Sequence, residues 1–210
     1  MLDKHLHPRL KPWLNRAAQA LDKPGVSADG ITLVGFAIGV LALPFLALGW
    51  YGAALVAIIV NRLLDGLDGA MARRRGLTDA GGFLDIALDF LFYALVPFGF
   101  MLADPAANAL AGGWLLFAFM GTGSSFLAFA ALAAKHQIDN PGYAHKSFYY
   151  LGGLTEGTET ILLFVLGCLF PAWFAWMAWI FGALCWLTTF NRVWGGYMTL
   201  KNLQRHENVD

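Results

Sequence analysis

Four of the five aspartates between residues 65 and 89 form two close pairs, in a part of the chain that is otherwise mostly apolar or small. Asp65 and Asp68 are spaced to share one face of a helix, and the next pair, Asp85 and Asp89, stands one turn apart. A short loop between two antiparallel helices would bring both pairs together. Like charges in a poorly solvated space repel, and divalent cations relieve that repulsion because Mg²⁺, Mn²⁺ and Ca²⁺ prefer hard oxygen ligands.

Two such ions about 3.5–4 Å apart form the usual clamp for displacement at phosphorus. The aspartates therefore predict a two-metal site for phosphoryl chemistry. Gly69 and Ala72 lie on the same helix face and would let a ligand or a neighbouring backbone approach closely. The same spacing of small residues also packs membrane helices together, so for these two residues both interpretations stay open.

The composition tells what kind of protein must hold this site. The 210 residues are 58% hydrophobic and 13% charged, whereas soluble domains average about 25% charged residues. Fourteen basic residues balance fourteen acidic ones, which argues against a nucleic-acid-binding protein, and the hydrophobicity excludes a disordered chain. We therefore expect a polytopic membrane protein.

Six apolar runs are candidates to cross a bilayer, which takes about 20 residues in a helix. Because they show no alternation with period two, they favour helices over a β-barrel. The expected fold class is all-α, with six transmembrane helices and an N-terminal amphipathic interfacial helix. The runs are 31–50, 51–67, 83–103, 110–134, 160–170 and 172–200.

The chain is expected to form one domain, 1–210. Within segment 1–30, apolar residues recur at helical spacing between basic ones, as in a helix that lies in the cytoplasmic interface. The bundle would occupy 31–200, and 201–210 would be a cytoplasmic tail. Twelve of the fourteen basic residues flank the runs on one side, so the positive-inside rule places both termini and the aspartates in the cytoplasm. The expected location is the cytoplasmic membrane of a bacterium or an archaeon.

The run Asp65-x2-Asp68-Gly69-x2-Ala72-Arg73-x7-Gly81-x3-Asp85-x3-Asp89 resembles the signature of the CDP-alcohol phosphotransferases, also called CDP-alcohol phosphatidyltransferases. The resemblance covers eight fixed positions, and the expected bundle with its interfacial helix resembles the family's fold. It implies an integral membrane enzyme that is usually a homodimer and that contacts membrane lipid. Such an enzyme transfers a substituted phosphate from a CDP-linked donor, commonly CDP-diacylglycerol, to the hydroxyl of a polar alcohol and releases CMP.

The resemblance also implies roles for individual residues. Two divalent cations, Mg²⁺ or Mn²⁺, would be held by Asp65, Asp68, Asp85 and Asp89, and the last of these would be the general base. The CDP and diphosphate site would be lined by Asp68, Gly69, Ala72, Arg73, Gly81 and Asp85, with Thr78 as a further candidate.

The acceptor alcohol is not determined by the motif. In the family's glycerophosphate synthases Pro usually follows the third aspartate and Lys the fourth, whereas this chain has Ile86 and Phe90 there, which disfavours glycerol phosphate. The open candidates are serine, inositol, its phosphate, an amino alcohol and, although disfavoured, glycerol phosphate. A phosphorylated acceptor would need basic residues, and an amino alcohol would need a carboxylate. The candidates for the acceptor pocket are Lys135, Glu156, Glu159 and Arg192.

These acceptor candidates also have ordinary explanations. Lys135 fits the positive-inside rule, and Arg192 could pair with the two glutamates.

A second class of function is a membrane divalent-cation carrier, because intramembrane carboxylates mark ion pathways. Carriers tend to show inverted repeats and helices broken near the bilayer midplane. The sequence shows neither feature, and the aspartates gather at one end of the apolar runs.

Overall fold

A computed structural model of the chain describes residues 3–136, 138 and 154–207, with side chains described from 11 to 203 within those ranges. Every regular element in the described residues is helical, which confirms the all-α prediction. The elements are α1 (Asp3–Leu21), α2 (Ala28–Val40), α3 (Ala42–Ala47), α4 (Tyr51–Arg75), α5 (Asp79–Ala103), α6 (Pro105–Lys135), α7 (Gly157–Leu169), a 3-10 turn (Pro171–Trp173) and α8 (Phe174–Glu207).

Four stretches are long and apolar enough to cross a membrane: Ala28–Ala47, Asp79–Ala103, Pro105–Lys135 and Pro171–Leu203. They correspond to four of the six expected spans. The other two expected spans correspond to α4 and α7. Helix α4 carries charged residues toward its C-terminal end, and α7 has only 13 residues. The count of six crossings and the interfacial position of α1 therefore remain predictions. Many large apolar side chains point outwards, such as Leu110 at 81% exposed, as lipid contact requires.

The first expected span is two helices rather than one. It begins where the Ser27 hydroxyl accepts a hydrogen bond from the Gly30 amide at 3.0 Å, a typical N-cap. In one continuous helix the ring of Pro44 would clash with the carbonyl four residues earlier, which favours a break there, although α5 accommodates Pro97 in its interior. The chain therefore interrupts the helix at Leu41 and starts α3, with Pro44 in its first turn.

Helices α4 and α5 are joined by three residues, 76–78, and both pack against α2 and α3. Gly76, at φ 103°, makes the turn, a conformation that favours glycine. The Thr78 hydroxyl then accepts from the Gly81 amide at 3.1 Å and caps α5. This connection reverses the chain just after the first aspartate pair, which brings the second pair back beside it.

Gly39 on α2 allows α4 and α5 to approach closely. A Cβ on Gly39 would lie 2.9 Å from Nδ2 of Asn61 and 3.0 Å from the Phe92 ring. The same Asn61 amide donates a buried hydrogen bond of 2.9 Å to the Gly35 carbonyl. This packing lies directly beneath the aspartates, since Asn61 is one turn before Asp65.

We expect Gly39→Ala to lower the free energy of unfolding by about 1–3 kcal/mol, because an added methyl group in a packed core forces its neighbours apart. Thermal unfolding in detergent measures the effect. Gly52→Ala is the matched control, since a Cβ there meets no atom within 4 Å and alanine favours a helix. Equal midpoints for the two variants would show that the contact does not constrain the packing.

An ion pair ties the end of α1 to the end of α4. Arg75 Nη2 lies 2.7 Å from Oδ1 of Asp22, and Arg74 Nη2 lies 3.5 Å from Oδ2. Arg75 also donates to the carbonyls of Lys23, at 3.2 Å, and Val26. Hydrogen bonding from Arg75 holds the pKa of the Asp22 carboxyl below its usual value. The α1–α4 connection is therefore sensitive to acid.

A depressed folded-state pKa means that the ion pair stabilises the fold above the unfolded-state pKa of Asp22, about 4. This contribution is lost as the pH falls through the folded-state pKa. We expect hydrogen exchange in residues 11–25 to speed up between pH 5 and pH 3. In Asp22→Asn the exchange, corrected for the intrinsic pH effect, should already be fast at pH 5. Identical pH profiles for the two proteins would contradict this role of the ion pair.

Candidate active site

The aspartates meet in a cleft between α2, α4 and α5. Carboxylate oxygens of Asp65, Asp68 and Asp85 all lie within 4.8 Å of one another. The cleft holds about 230 Å³ of empty space, and Asp89 also lines it. The expected convergence of two helices on one acidic site is therefore present. Its other walls come from Thr32, Gly35, Phe36, Asn61, Arg62 and Leu88.

The acidic cluster fits a divalent cation. Asp68 is only 4% exposed, and its Oδ2 is buried without a hydrogen-bond partner. A buried acceptor of this kind is costly unless something satisfies it. Asp65 and Asp85 present further oxygens within reach of the same point, and an all-oxygen set suits Mg²⁺ or Mn²⁺. The residues are thus the right type, in the right place, for a metal.

An arginine on α4 pairs with the fourth aspartate, Asp89. Arg62 Nη2 donates to Oδ1 of Asp89 at 2.8 Å, and Arg62 Nη1 lies 3.6 Å from Oδ2 of Asp65. Asp89 and Asp65 therefore share one ion-pair partner, which the spacing of the four aspartates does not indicate. Ion pairing and a charge-assisted hydrogen bond fix the direction of the carboxylate.

Arg62 is itself held on several sides. Its Nε donates to Oδ1 of Asn61 at 2.8 Å, and its guanidinium lies 4.6 Å from the centre of the Phe92 ring and 5.5 Å from that of Tyr93. Such contacts leave little rotational freedom. Arg62 is not part of the aspartate motif, but it stands inside an apolar run, where an ionisable residue is a functional candidate by default.

The other signature residues are not among the residues that line the cleft. Gly69 and Ala72 are half-buried on α4, and Arg73 is exposed, with Nη1 3.3 Å from where a Cβ of Gly69 would lie. Thr78 caps α5. At Gly81 a Cβ would come 2.9 Å from the Thr78 hydroxyl and 3.0 Å from Oδ1 of Asp29, so this position has no room for a side chain.

The acceptor candidates are also outside the lining of the aspartate cleft. Glu156 is buried at the start of α7 and forms a capping box with Glu159, whose Oε2 accepts from the Glu156 amide at 3.1 Å. Arg192 is buried on α8 and donates to the Thr122 carbonyl at 3.2 Å. Lys135 is exposed at the end of α6. The two glutamates thus have a local structural role at the start of α7.

The curated relatives of the chain include a membrane protein and a lipid-synthesis enzyme. The chain is 85% identical over 205 residues to the inner membrane protein YnjF of Escherichia coli (strain K12), covering 98% of this chain and 100% of that protein. It is 37% identical over 103 residues to the archaetidylinositol phosphate synthase of Pyrococcus horikoshii, covering 49% and 54%. A similar protein is therefore an inner membrane protein, in agreement with the apolar helices.

Solved structures of the phosphatidylinositol phosphate synthase PgsA1 of Mycobacterium tuberculosis share the fold. The structure with CDP-DAG bound has a TM-score of 0.71 at 22% identity, covering 88% of this chain and 93% of that chain. The complex with manganese and citrate also has a TM-score of 0.71, at 21% identity, covering 88% of each chain. At this identity the likeness establishes a common architecture.

The family model of the CDP-alcohol phosphatidyltransferases matches residues 26–191. The matched range runs from just before α2 into α8 and includes the aspartate cleft with all eight signature positions. The resemblance found in the sequence is thereby confirmed over most of the chain. The chain belongs to the CDP-alcohol phosphatidyltransferase family.

Proposed function

We propose that this protein transfers a phosphatidyl group from CDP-diacylglycerol to the hydroxyl of a polar alcohol and releases CMP. The observation that carries the proposal is the convergence of three carboxylates within 4.8 Å, one with an unpartnered buried oxygen, beside an ion-paired fourth. Membership of the family supports the reaction class. The similar fold of a synthase with CDP-DAG bound supports the donor.

Asp65, Asp68, Asp85 and Asp89 would hold two divalent cations, Mg²⁺ or Mn²⁺. When bound, the ions would neutralise the diphosphate and the charge that develops on the departing CMP. A neighbour in fold that contains manganese supports this choice of metal. The apolar walls at Phe36 and Leu88 would limit water in the cleft, which strengthens electrostatic interactions there.

Asp89 would act as the general base. The acceptor oxygen forms a bond to the phosphatidyl phosphorus while the bond from that phosphorus to the CMP oxygen breaks, and the hydroxyl proton passes to Asp89. Arg62 donates to Oδ1 of Asp89, which leaves Oδ2 to receive the proton. The reaction is a direct displacement, and it needs no covalent intermediate on the protein.

The donor's nucleotide would bind beside the cleft, toward the end of α4 and the start of α5. Asp68, Gly69, Ala72, Arg73, Gly81 and Asp85, with Thr78, would line this CDP site. The acceptor would enter from the side of Lys135 and Arg192 if it carries a phosphate, and near Glu156 and Glu159 if it carries an amine. The archaetidylinositol phosphate synthase among the relatives supports testing a phosphorylated inositol first.

The test is an assay of CMP release by the purified full chain in detergent with CDP-diacylglycerol and Mg²⁺ or Mn²⁺. Inositol phosphate, inositol, serine, glycerol phosphate and an amino alcohol are supplied separately. We expect release that depends on the cation and on one of these acceptors. No release above the acceptor-free background with any of them would contradict the proposed transfer.

A further inference from the structure

A second cavity lies between α1 and α4, and it shares no lining residue with the aspartate cleft. We call it the α1–α4 groove. It holds about 640 Å³ of empty space. Its lining consists of Lys11, Asn15, Arg16, Gln19, Ala70, Arg73 and Arg74.

The groove exists because α1 rests on α4 through small residues. Ala18 of α1 is fully buried, and Leu14 packs where Gly66 has no side chain, 3.1 Å from the position of a Cβ there. Ala70, also fully buried, forms part of the floor. This close contact holds the polar face of α1 beside the last turns of α4, so the groove is part of the packing.

The groove concentrates positive charge. Two basic residues come from α1 and two from α4, the remaining polar lining groups are the amides of Asn15 and Gln19, and no carboxylate is among the lining residues. Asp22 stands at the end of α1, where it pairs with Arg75 at 2.7 Å and reaches only Arg74 of the groove, at 3.5 Å. The chain has zero net charge, yet this groove gathers four basic side chains, and of these Arg74 already pairs with a carboxylate.

We propose that the α1–α4 groove binds a phosphate group. Arginine and lysine side chains with amide donors are the usual partners of phosphate oxygens. The phosphate could belong to an anionic lipid headgroup or to a soluble phosphate compound. Trp13 of α1 is 70% exposed and Leu21 is exposed too, so α1 has an apolar face beside its basic one, as helices that bind anionic lipid do. Arg73 also belongs to the proposed CDP site, so the test uses Lys11 and Arg16, which line only the groove.

The experiment compares lipid retention by native mass spectrometry of the full chain, purified from mixed micelles of phosphatidylglycerol and phosphatidylcholine. Lys11→Gln/Arg16→Gln removes two groove cations and leaves the docking residues Leu14 and Ala18 unchanged. Each basic residue near an anionic surface contributes about fivefold in affinity, so we expect the preference for phosphatidylglycerol to fall roughly 30-fold. The control variant Lys23→Gln/Lys201→Gln removes the same amount of charge outside the groove and should keep the preference for phosphatidylglycerol.

A second arm adds inorganic phosphate. Displacement of phosphatidylglycerol only at phosphate concentrations far above those of the lipid would assign the site to a lipid headgroup. Binding of phosphate alone, equally sensitive to Lys11→Gln/Arg16→Gln, would support the same site with a soluble ligand. The proposal is overturned if neither ligand distinguishes the groove variant from the Lys23→Gln/Lys201→Gln control.

Discussion

Asp89→Asn is expected to lower kcat for CMP release by about 10²–10⁴-fold, the usual contribution of a general base. The amide has nearly the same shape, and its oxygen can still accept from Arg62, which donates to Oδ1 of Asp89 at 2.8 Å. It cannot take the proton of the acceptor hydroxyl. The loss should therefore appear in turnover, with little change in thermal stability.

Asp79→Asn is the matched control for this substitution. Asp79 is exposed at the first turn of α5 and belongs to neither cavity, so its variant should keep the activity of the unmodified protein. Steady-state kinetics of CMP release measure both variants. If Asp89→Asn turned over as fast as Asp79→Asn, the base would have to be another group.

Arg62→Gln is expected to lower kcat by about 10–100-fold, in the range seen when a group that orients a metal or catalytic ligand is removed. The substitution removes the guanidinium group, which donates to Asp89 and places a positive charge 3.6 Å from Asp65. Arg62→Lys keeps the charge and loses the planar fork, which also donates to Asn61, so we expect partial rescue.

A double-mutant cycle separates positioning from a general effect on folding. If Arg62 acts through Asp89, Arg62→Gln should cost little further turnover when Asp89 is already Asn, because the two changes remove one unit. Thermal unfolding of the same proteins measures how much each substitution changes the stability of the fold. Fully multiplicative losses in kcat would contradict a positioning role for Arg62.

The location of the acidic site could be predicted from the sequence because the information is local. Helical periodicity sets which aspartates share a face, and the turn chemistry at Gly76 and Thr78 reverses the chain between them. The apolar run 83–103 likewise corresponds to α5, which begins only four residues earlier. The continuous apolar run 31–50 does not indicate the interruption at Leu41, although Pro44 within it is a signal for a helix break.

The partners of the aspartates could not be predicted, because they depend on packing between distant segments. The sequence places Arg62 near Asp65, but its 2.8 Å bond goes to Asp89, 27 residues away. The same is true of Gly39, whose lack of a side chain matters only because Asn61 and Phe92 pack on it.

The acceptor pocket shows the same limit more strongly. Its candidates come from three helices, α6, α7 and α8, and their side chains take part in local contacts such as the capping box at Glu156 and Glu159. The pattern of charges along the chain indicates that these residues exist at helix ends. It does not indicate which of them face a common ligand, so their role in acceptor binding stays a prediction.

The most direct test of the account concerns the metal dependence of the acidic cleft. The purified chain is treated with a chelator, and CMP release from CDP-diacylglycerol is followed as Mn²⁺ is returned, for the unmodified protein and for Asp68→Asn. We expect no CMP release without the cation and recovery when Mn²⁺ is returned. The variant should need more Mn²⁺ for the same release, because a neutral amide replaces its buried carboxylate. CMP release that survives the chelator, or that responds to Mn²⁺ identically in Asp68→Asn, would contradict the account.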